Sequence, residues 1–237
     1  MPAARVLWHA LVGLYDETVT LVAGNLLWIA LNLPLYLLLV LVAVPFFGTG
    51  WLLVVLAWLL VYLPTPASVA LGGLTRVAAG PDVPRLSLFL EALRLRWRLA
   101  LACCAVSLAG FILIVVNLYF YAAMNSGWLQ AAAILWLYLG AFWLGMHVYL
   151  VPLIHHVEKP RLQDLYRRAA LIALGHAPYT LLVALALLVV GLVGVIFLPA
   201  YVLVGGAYVS LAQAHAFREV RRRHGDLLVE PDEKGSL

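Results

Sequence analysis

The residues best suited to chemistry in this 237-residue sequence are its histidines. His147 and His155 stand eight residues apart in an apolar stretch, and His156 follows directly. Imidazole groups are common zinc ligands, and Glu158 adds a carboxylate nearby. Adjacent histidines diverge by about 100° on a helix, however, so the spacing matches no standard metal site. We therefore predict no metal and no cofactor, and interpret these histidines as hydrogen-bonded polar residues near an inner membrane surface.

Other reactive groups are equally sparse. Cys103 and Cys104 are adjacent within an apolar run, which favours helix packing over a disulfide or a metal site. The sequence contains no HExxH, GxSxG, phosphate-binding glycine loop or Cys-x-x-Cys pattern. No charged side chain lies centrally in an apolar run, where proton relays, ion-coupled transporters and intramembrane hydrolases usually place one. We predict a protein that is not an enzyme.

The composition indicates an integral membrane protein. Hydrophobic residues make up 65% of the chain and charged residues 11%, whereas about a quarter of the residues in soluble domains are charged. The mean hydropathy is +1.02. The net charge of +4 does not indicate nucleic-acid binding, because the arginines flank apolar runs, where they orient helices and contact anionic headgroups.

The predicted fold is all-α: a polytopic helical membrane protein with six transmembrane helices in three hairpins and interfacial amphipathic helices on the cytoplasmic side. Pro45, Gly48 and Gly50 predict an uncharged turn after the first span, and Pro64 with Pro66 predicts a break near the end of the second. A single membrane domain, 1–224, contains the spans 18–44, 50–74, 99–124, 128–157, 177–197 and 199–217. Residues 225–237 form a polar tail that we expect to be disordered.

The charge distribution predicts the orientation. In this six-span arrangement all 15 Lys and Arg and all 11 Asp and Glu fall in the N-terminus, the two even-numbered loops and the C-terminus. The odd-numbered loops carry no charge. By the positive-inside rule, both termini are cytoplasmic.

Seven arginines in the even-numbered loops are candidates for contact with membrane lipid headgroups or with a protein partner. Four of them precede the third span, and three follow the fourth. In both segments they are interleaved with apolar residues. These candidates are Arg85, Arg94, Arg96, Arg98, Arg161, Arg167 and Arg168.

Uncharged polar residues concentrate in the inner half of the predicted spans. They either line a cavity open to the cytoplasm or join helices by hydrogen bonds, and the sequence leaves both interpretations open. A pore is disfavoured, because it would need polar lining at both depths. The candidate cavity residues are Asn25, Asn32, Thr65, Ser68, His147, Tyr179, Gln213 and His215.

Several short motifs resemble a known family. They include NLLW at 25–28, TPA at 65–67 and APYTL at 177–181, with Phe89 and Arg94 before the third span and LYF at 118–120. On these motifs the chain, from about residue 21 to residue 218, resembles the YesL family (domain of unknown function 624) of bacterial integral membrane proteins. The resemblance implies the bacterial cytoplasmic membrane and no assigned activity. Relatives often appear beside carbohydrate uptake transporters and polysaccharide-degrading enzymes.

Three functions are therefore considered. The first is a non-enzymatic accessory protein whose basic inner face docks a membrane transporter or a cytoplasmic partner, associated with carbohydrate uptake as the resemblance implies. The alternative is a carrier for a small neutral solute through a cytoplasm-facing cavity. The third, an intramembrane enzyme, requires His147, His155 or His156 to converge on a metal or a nucleophile. The oligomeric state is not set by the sequence.

Overall fold

The structure, a computed structural model, describes residues 2–124, 127–158 and 161–223, with side chains except at 2, 39, 40, 42–60 and 223. These residues form helices and contain no strand. The helices are α1 (Pro2–Asp16), α2 (Thr18–Tyr62), α3 (Pro66–Ala78), α4 (Leu86–Ala122), α5 (Gly127–His156), α6 (Leu162–Gly175), α7 (Ala177–Ile196), α8 (Leu198–Ala200) and α9 (Gly206–Arg223), with a π-helical turn (Tyr201–Gly205) before α9. The predicted tail, 225–237, lies outside the described residues.

Helix α2 corrects the predicted boundary between the first two spans. Its backbone is helical from Thr18 to Tyr62, so the expected turn at Pro45, Gly48 and Gly50 does not interrupt the helix. Apolar helices tolerate proline and glycine when neighbouring groups satisfy the freed carbonyls. One proline and two glycines in this stretch are therefore not enough to end the helix.

The two ends of α2 nevertheless lie close together. Trp28 Nε1 donates a hydrogen bond of 3.0 Å to the hydroxyl of Ser68, six residues beyond the end of α2. A straight helix would separate residues 28 and 62 by about 50 Å, far more than an indole side chain reaches. Helix α2 therefore bends back on itself between these two residues.

The predicted break at Pro64 and Pro66 is confirmed. Helix α2 ends at Tyr62, and α3 begins at Pro66, whose fixed φ suits the first position of a helix. The hydroxyl of Thr65 accepts a hydrogen bond of 3.0 Å from the backbone N–H of Ser68, which caps the new helix. The sequence TPAS therefore ends one helix and starts the next.

The basic segment 85–98 and the predicted third span are continuous. Helix α4 runs without interruption from Leu86 to Ala122, so the basic segment and the third span form one helix. The sequence at their junction, RWRLALACC, contains neither proline nor glycine, and nothing there favours ending a helix.

Four stretches in the described part of the chain are long and apolar enough to cross a membrane: Thr18–Leu38 within α2, and the helices α4, α5 and α7. Helices α5 and α7 match the predicted spans 128–157 and 177–197 to within one residue at each end. The predicted spans 50–74 and 199–217 are not among the four. Most side chains of the former lie outside the described set, and the latter is divided by the π-helical turn.

Helix α9 forms the centre of the bundle. It packs against α1, α2, α3 and α5, and Ala207, Leu211 and Ala212 are fully buried. Helix α1 covers one side with Val6, Ala10 and Leu14, which recur every four residues and are buried. The small residues of α9 allow this close approach.

Candidate functional site

Asn25, a predicted cavity residue, joins α2 to the π-helical turn. It is fully buried, and its Nδ2 donates to the carbonyls of Val202 at 2.7 Å and Tyr201 at 3.3 Å. Its Oδ1 accepts from the backbone N–H of Ala207 at 2.8 Å. The side-chain amide thus pairs with backbone groups where the helix departs from α geometry. Asn25 is committed to helix packing.

Ser68, Thr65 and Gln213 meet at the junction of α2, α3 and α9. The hydroxyls of Thr65 and Ser68 are 2.9 Å apart, and Gln213 Nε2 donates to the carbonyl of Val61 at 3.2 Å. Ser68 and Gln213 also line a cavity of about 20 Å3 beside Trp28. A single water requires about 10–15 Å3, so this space suits one water and not a solute.

His147 lies in a separate network between α4, α5 and α6. Its Nε2 is 2.8 Å from the hydroxyl of Ser107, and its Nδ1 is 2.7 Å from the carbonyl of Trp143. The hydroxyl of Ser107 is also 2.7 Å from that of Tyr166, which donates to the carbonyl of Cys103 at 2.9 Å. Burial raises the pKa of Tyr166, so its hydroxyl stays protonated as this donor.

A hydroxyl, an imidazole and an orienting carbonyl are also the components of a nucleophile and its base. The enzyme hypothesis required a histidine to meet a metal or a nucleophile, and His147 does contact the hydroxyl of Ser107. However, Ser107 and His147 are both buried, with exposures of 0% and 1%. The hydroxyl of Ser107 is engaged by two neighbours, so the geometry favours an interhelical link over catalysis.

The other histidines at the end of α5 serve different contacts. His155 Nε2 is 2.7 Å from the carbonyl of Val69 on α3, and its ring lies against the backbone of Gly72 and Gly73. His156 contacts Arg221 of α9. Within the residues that the structure describes, no group of three His, Cys, Asp or Glu side chains is placed to hold a metal ion.

Three predicted cavity residues lie elsewhere. Asn32 of α2 is buried, and its Nδ2 has no hydrogen-bond partner among the described residues. Tyr179 is buried on α7. His215 of α9 lies at the charged end of the bundle, its ring 5.8 Å from that of His9. The eight residues predicted to line a cavity therefore occupy several separate places.

The seven predicted contact arginines lie at accessible positions. Those on α4 and before it are exposed except Arg96, which is half-buried, and those after α5 are exposed except Arg168. They follow the ends of α3 and α5 by short connections. Because those two helix ends contact each other through Arg76 and the carbonyl of His155, at 3.4 Å, both groups of arginines lie at one end of the bundle.

Sequence reasoning missed a larger cavity at this same end. It has a volume of about 360 Å3 and lies between α3, α5 and α9. Arg76, Arg218, Arg221 and His156 line it, and of its described lining residues Asp82 alone is acidic. In the sequence, Arg76, Arg218 and Arg221 indicate only the orientation of the helices. The positive-inside rule already placed them on one side of the membrane, and this was the available clue that they meet.

Hydrogen bonds join the residues that line this cavity. Thr75 and Ser210 pair through their hydroxyls at 2.7 Å. Arg218 donates to the carbonyls of Arg76, at 3.1 Å, and Ala79, which satisfies the end of α3. Arg221 Nη1 lies 3.4 Å from Nδ1 of His156.

Comparison with known proteins identifies no relative. No family model, no curated protein and no solved structure matches this chain. Membership of the YesL family stays a prediction that rests on the short motifs. The structure does bring two of these motifs together, since Trp28 of NLLW bonds to Ser68, which follows TPA.

Proposed function

We propose that this chain is a non-enzymatic accessory protein of the bacterial cytoplasmic membrane that docks a partner at its arginine-rich end. The observation that supports this most strongly is the gathering of the charged ends of α3, α4, α5, α6 and α9 on one side, with most of the contact arginines exposed. Exposed cationic groups attract anionic surfaces, and they set the orientation and rate of association.

The proposed topology has six crossings and two cytoplasmic termini. The bend in α2 supplies the first two crossings, α4, α5 and α7 supply three, and the π-helical turn with α9 supplies the last. This assignment leaves every charged side chain on one side, as the positive-inside rule requires. An association with carbohydrate uptake rests on the family resemblance alone.

The geometry gives less support to the carrier hypothesis. Asn25 is bonded to backbone groups, His147 belongs to a different network, and the cavity beside Ser68 holds about 20 Å3. Pockets for small molecules are usually several hundred Å3 in volume. The inner polar residues are therefore better explained as links between helices.

The docking proposal is tested by site-specific photo-crosslinking in native membranes. A photoreactive residue in place of Arg94 on α4, or of Arg167 on α6, is expected to give one discrete protein adduct, identified by mass spectrometry. Leu135 is a matched control, since it is exposed on α5 far from the charged end. The charge reversals Arg94→Glu and Arg167→Glu should abolish the adduct formed from the other position. Capture of lipid alone at both positions contradicts the proposal.

A further inference from the structure

The cavity between α3, α5 and α9 gathers more positive charge than helix capping needs. Arg218 caps α3 and Arg76 donates to the last turn of α5. Arg221, in contrast, contacts only the His156 ring among its described hydrogen-bond partners. A guanidinium group has five N–H donors, so even the two capping arginines keep donors for a ligand.

The net charge of the cavity can be estimated from its parts. Three guanidinium groups contribute +3, and Asp82 contributes −1. Helices α3 and α5 both end here, and each C-terminus carries the equivalent of about −0.5 charge. About one positive charge remains unbalanced.

The remaining lining sets the chemistry of the ligand. Guanidinium groups match the oxygens of phosphate and carboxylate, and they bind phosphate in a bidentate way. The Thr75 and Ser210 hydroxyls are at the buried side of the cavity, and Val151, Pro152 and Phe217 form an apolar wall. A volume of about 360 Å3 is large enough for a phosphate ester with a small polar group.

We infer that this cavity binds an anionic phosphate group. Such a group can come from the headgroup of an anionic phospholipid or from a soluble phosphate ester. Arg221 is the principal cation that contacts it, and Arg76 and Arg218 hold the ends of α3 and α5 in place around it. This site is distinct from the exposed arginines of α4 and α6 proposed for docking.

The test uses the full chain in detergent and two probes. Native mass spectrometry measures the retention of phosphatidylglycerol against phosphatidylcholine, and thermal unfolding is measured with inorganic phosphate against chloride at equal ionic strength. Arg221→Glu is compared with Arg222→Glu, since both arginines are exposed on α9, the charge change is the same, and Arg222 does not line this cavity. Arg221→Gln provides a milder change if the reversal impairs folding.

We expect Arg221→Glu and Arg221→Gln to weaken binding by about tenfold or more, equivalent to about 1.4 kcal/mol, and Arg222→Glu to leave it unchanged. Selective retention of phosphatidylglycerol without a phosphate effect identifies a lipid headgroup. Stabilisation by inorganic phosphate identifies a soluble ester. The inference is overturned if neither probe binds, or if the Arg221 and Arg222 variants behave alike.

Discussion

Replacing Asn25 by leucine should destabilise the protein strongly. The substitution removes two good hydrogen bonds, to the carbonyl of Val202 and from the N–H of Ala207, both 2.7–2.8 Å long, and a weaker one to Tyr201. The contact with the carbonyl of Val202 is part-buried and that with the N–H of Ala207 is buried, and each unsatisfied group costs about 1–3 kcal/mol. Counting these two groups, we expect a loss of about 2–6 kcal/mol in the free energy of unfolding.

The two cysteines provide the assay for this change. Cys103 and Cys104 are the only cysteines in the sequence, and both are buried. Thiol labelling during a titration with denaturing detergent therefore reports unfolding. Asn117→Leu is the matched control, because among the described residues the Asn117 amide bonds to the carbonyl of Leu113, in its own helix. That change should stay within about 0.5 kcal/mol.

A loss below about 1 kcal/mol for Asn25→Leu would refute this reasoning, since one unsatisfied buried group alone costs that much. It would mean that the helix around the π-helical turn satisfies its own backbone groups. Asn25 would then be free for another role, such as the solute contact that the sequence also allowed.

Three further predictions concern packing and capping. Gly206→Ala should destabilise the protein by about 1–3 kcal/mol, because the added Cβ would lie 2.7 Å from Oδ1 of Asn25. Gly175→Ala is the control in the same thiol assay. Open space surrounds Gly175, so this change should be neutral or slightly stabilising. Ser107→Ala and His147→Ala should show a coupling of about 0.6–1.7 kcal/mol in a double-mutant cycle, and additive losses would indicate that their contact contributes nothing. Arg218→Gln should cost about 1.5–3 kcal/mol by removing charge-assisted bonds to the end of α3, and unchanged thermal unfolding would contradict that capping role.

Helix limits were predictable where the sequence marks them chemically. The break before α3 follows from proline with a threonine cap, and α5 and α7 end beside glycine, histidine or proline. The junction of the basic segment and the third span has no such mark, and the two form one helix, α4. In α2 the backbone stays helical where a turn was expected.

The site was less predictable, because hydrogen-bond partners across a bundle are remote in sequence. The depth of Asn25 could be estimated from its place in the first span, but its partners lie more than 175 residues away. The same limit applies to Arg76 of α3 and Arg218 of α9, which are remote in sequence and meet only in the folded chain. Sequence therefore identified the polar residues without showing which of them share a site.

The proposed topology is tested most directly by measuring on which side of the membrane the charged end lies. In a chain with Cys103 and Cys104 replaced by serine, single cysteines are introduced and labelled in intact cells with a membrane-impermeant maleimide. With the proposed topology, we expect labelling from outside for Thr49→Cys, Trp128→Cys and Phe197→Cys. Arg85→Cys and Arg161→Cys should be labelled only after lysis. Labelling of either arginine position from outside would contradict the proposed topology and, with it, the cytoplasmic docking surface.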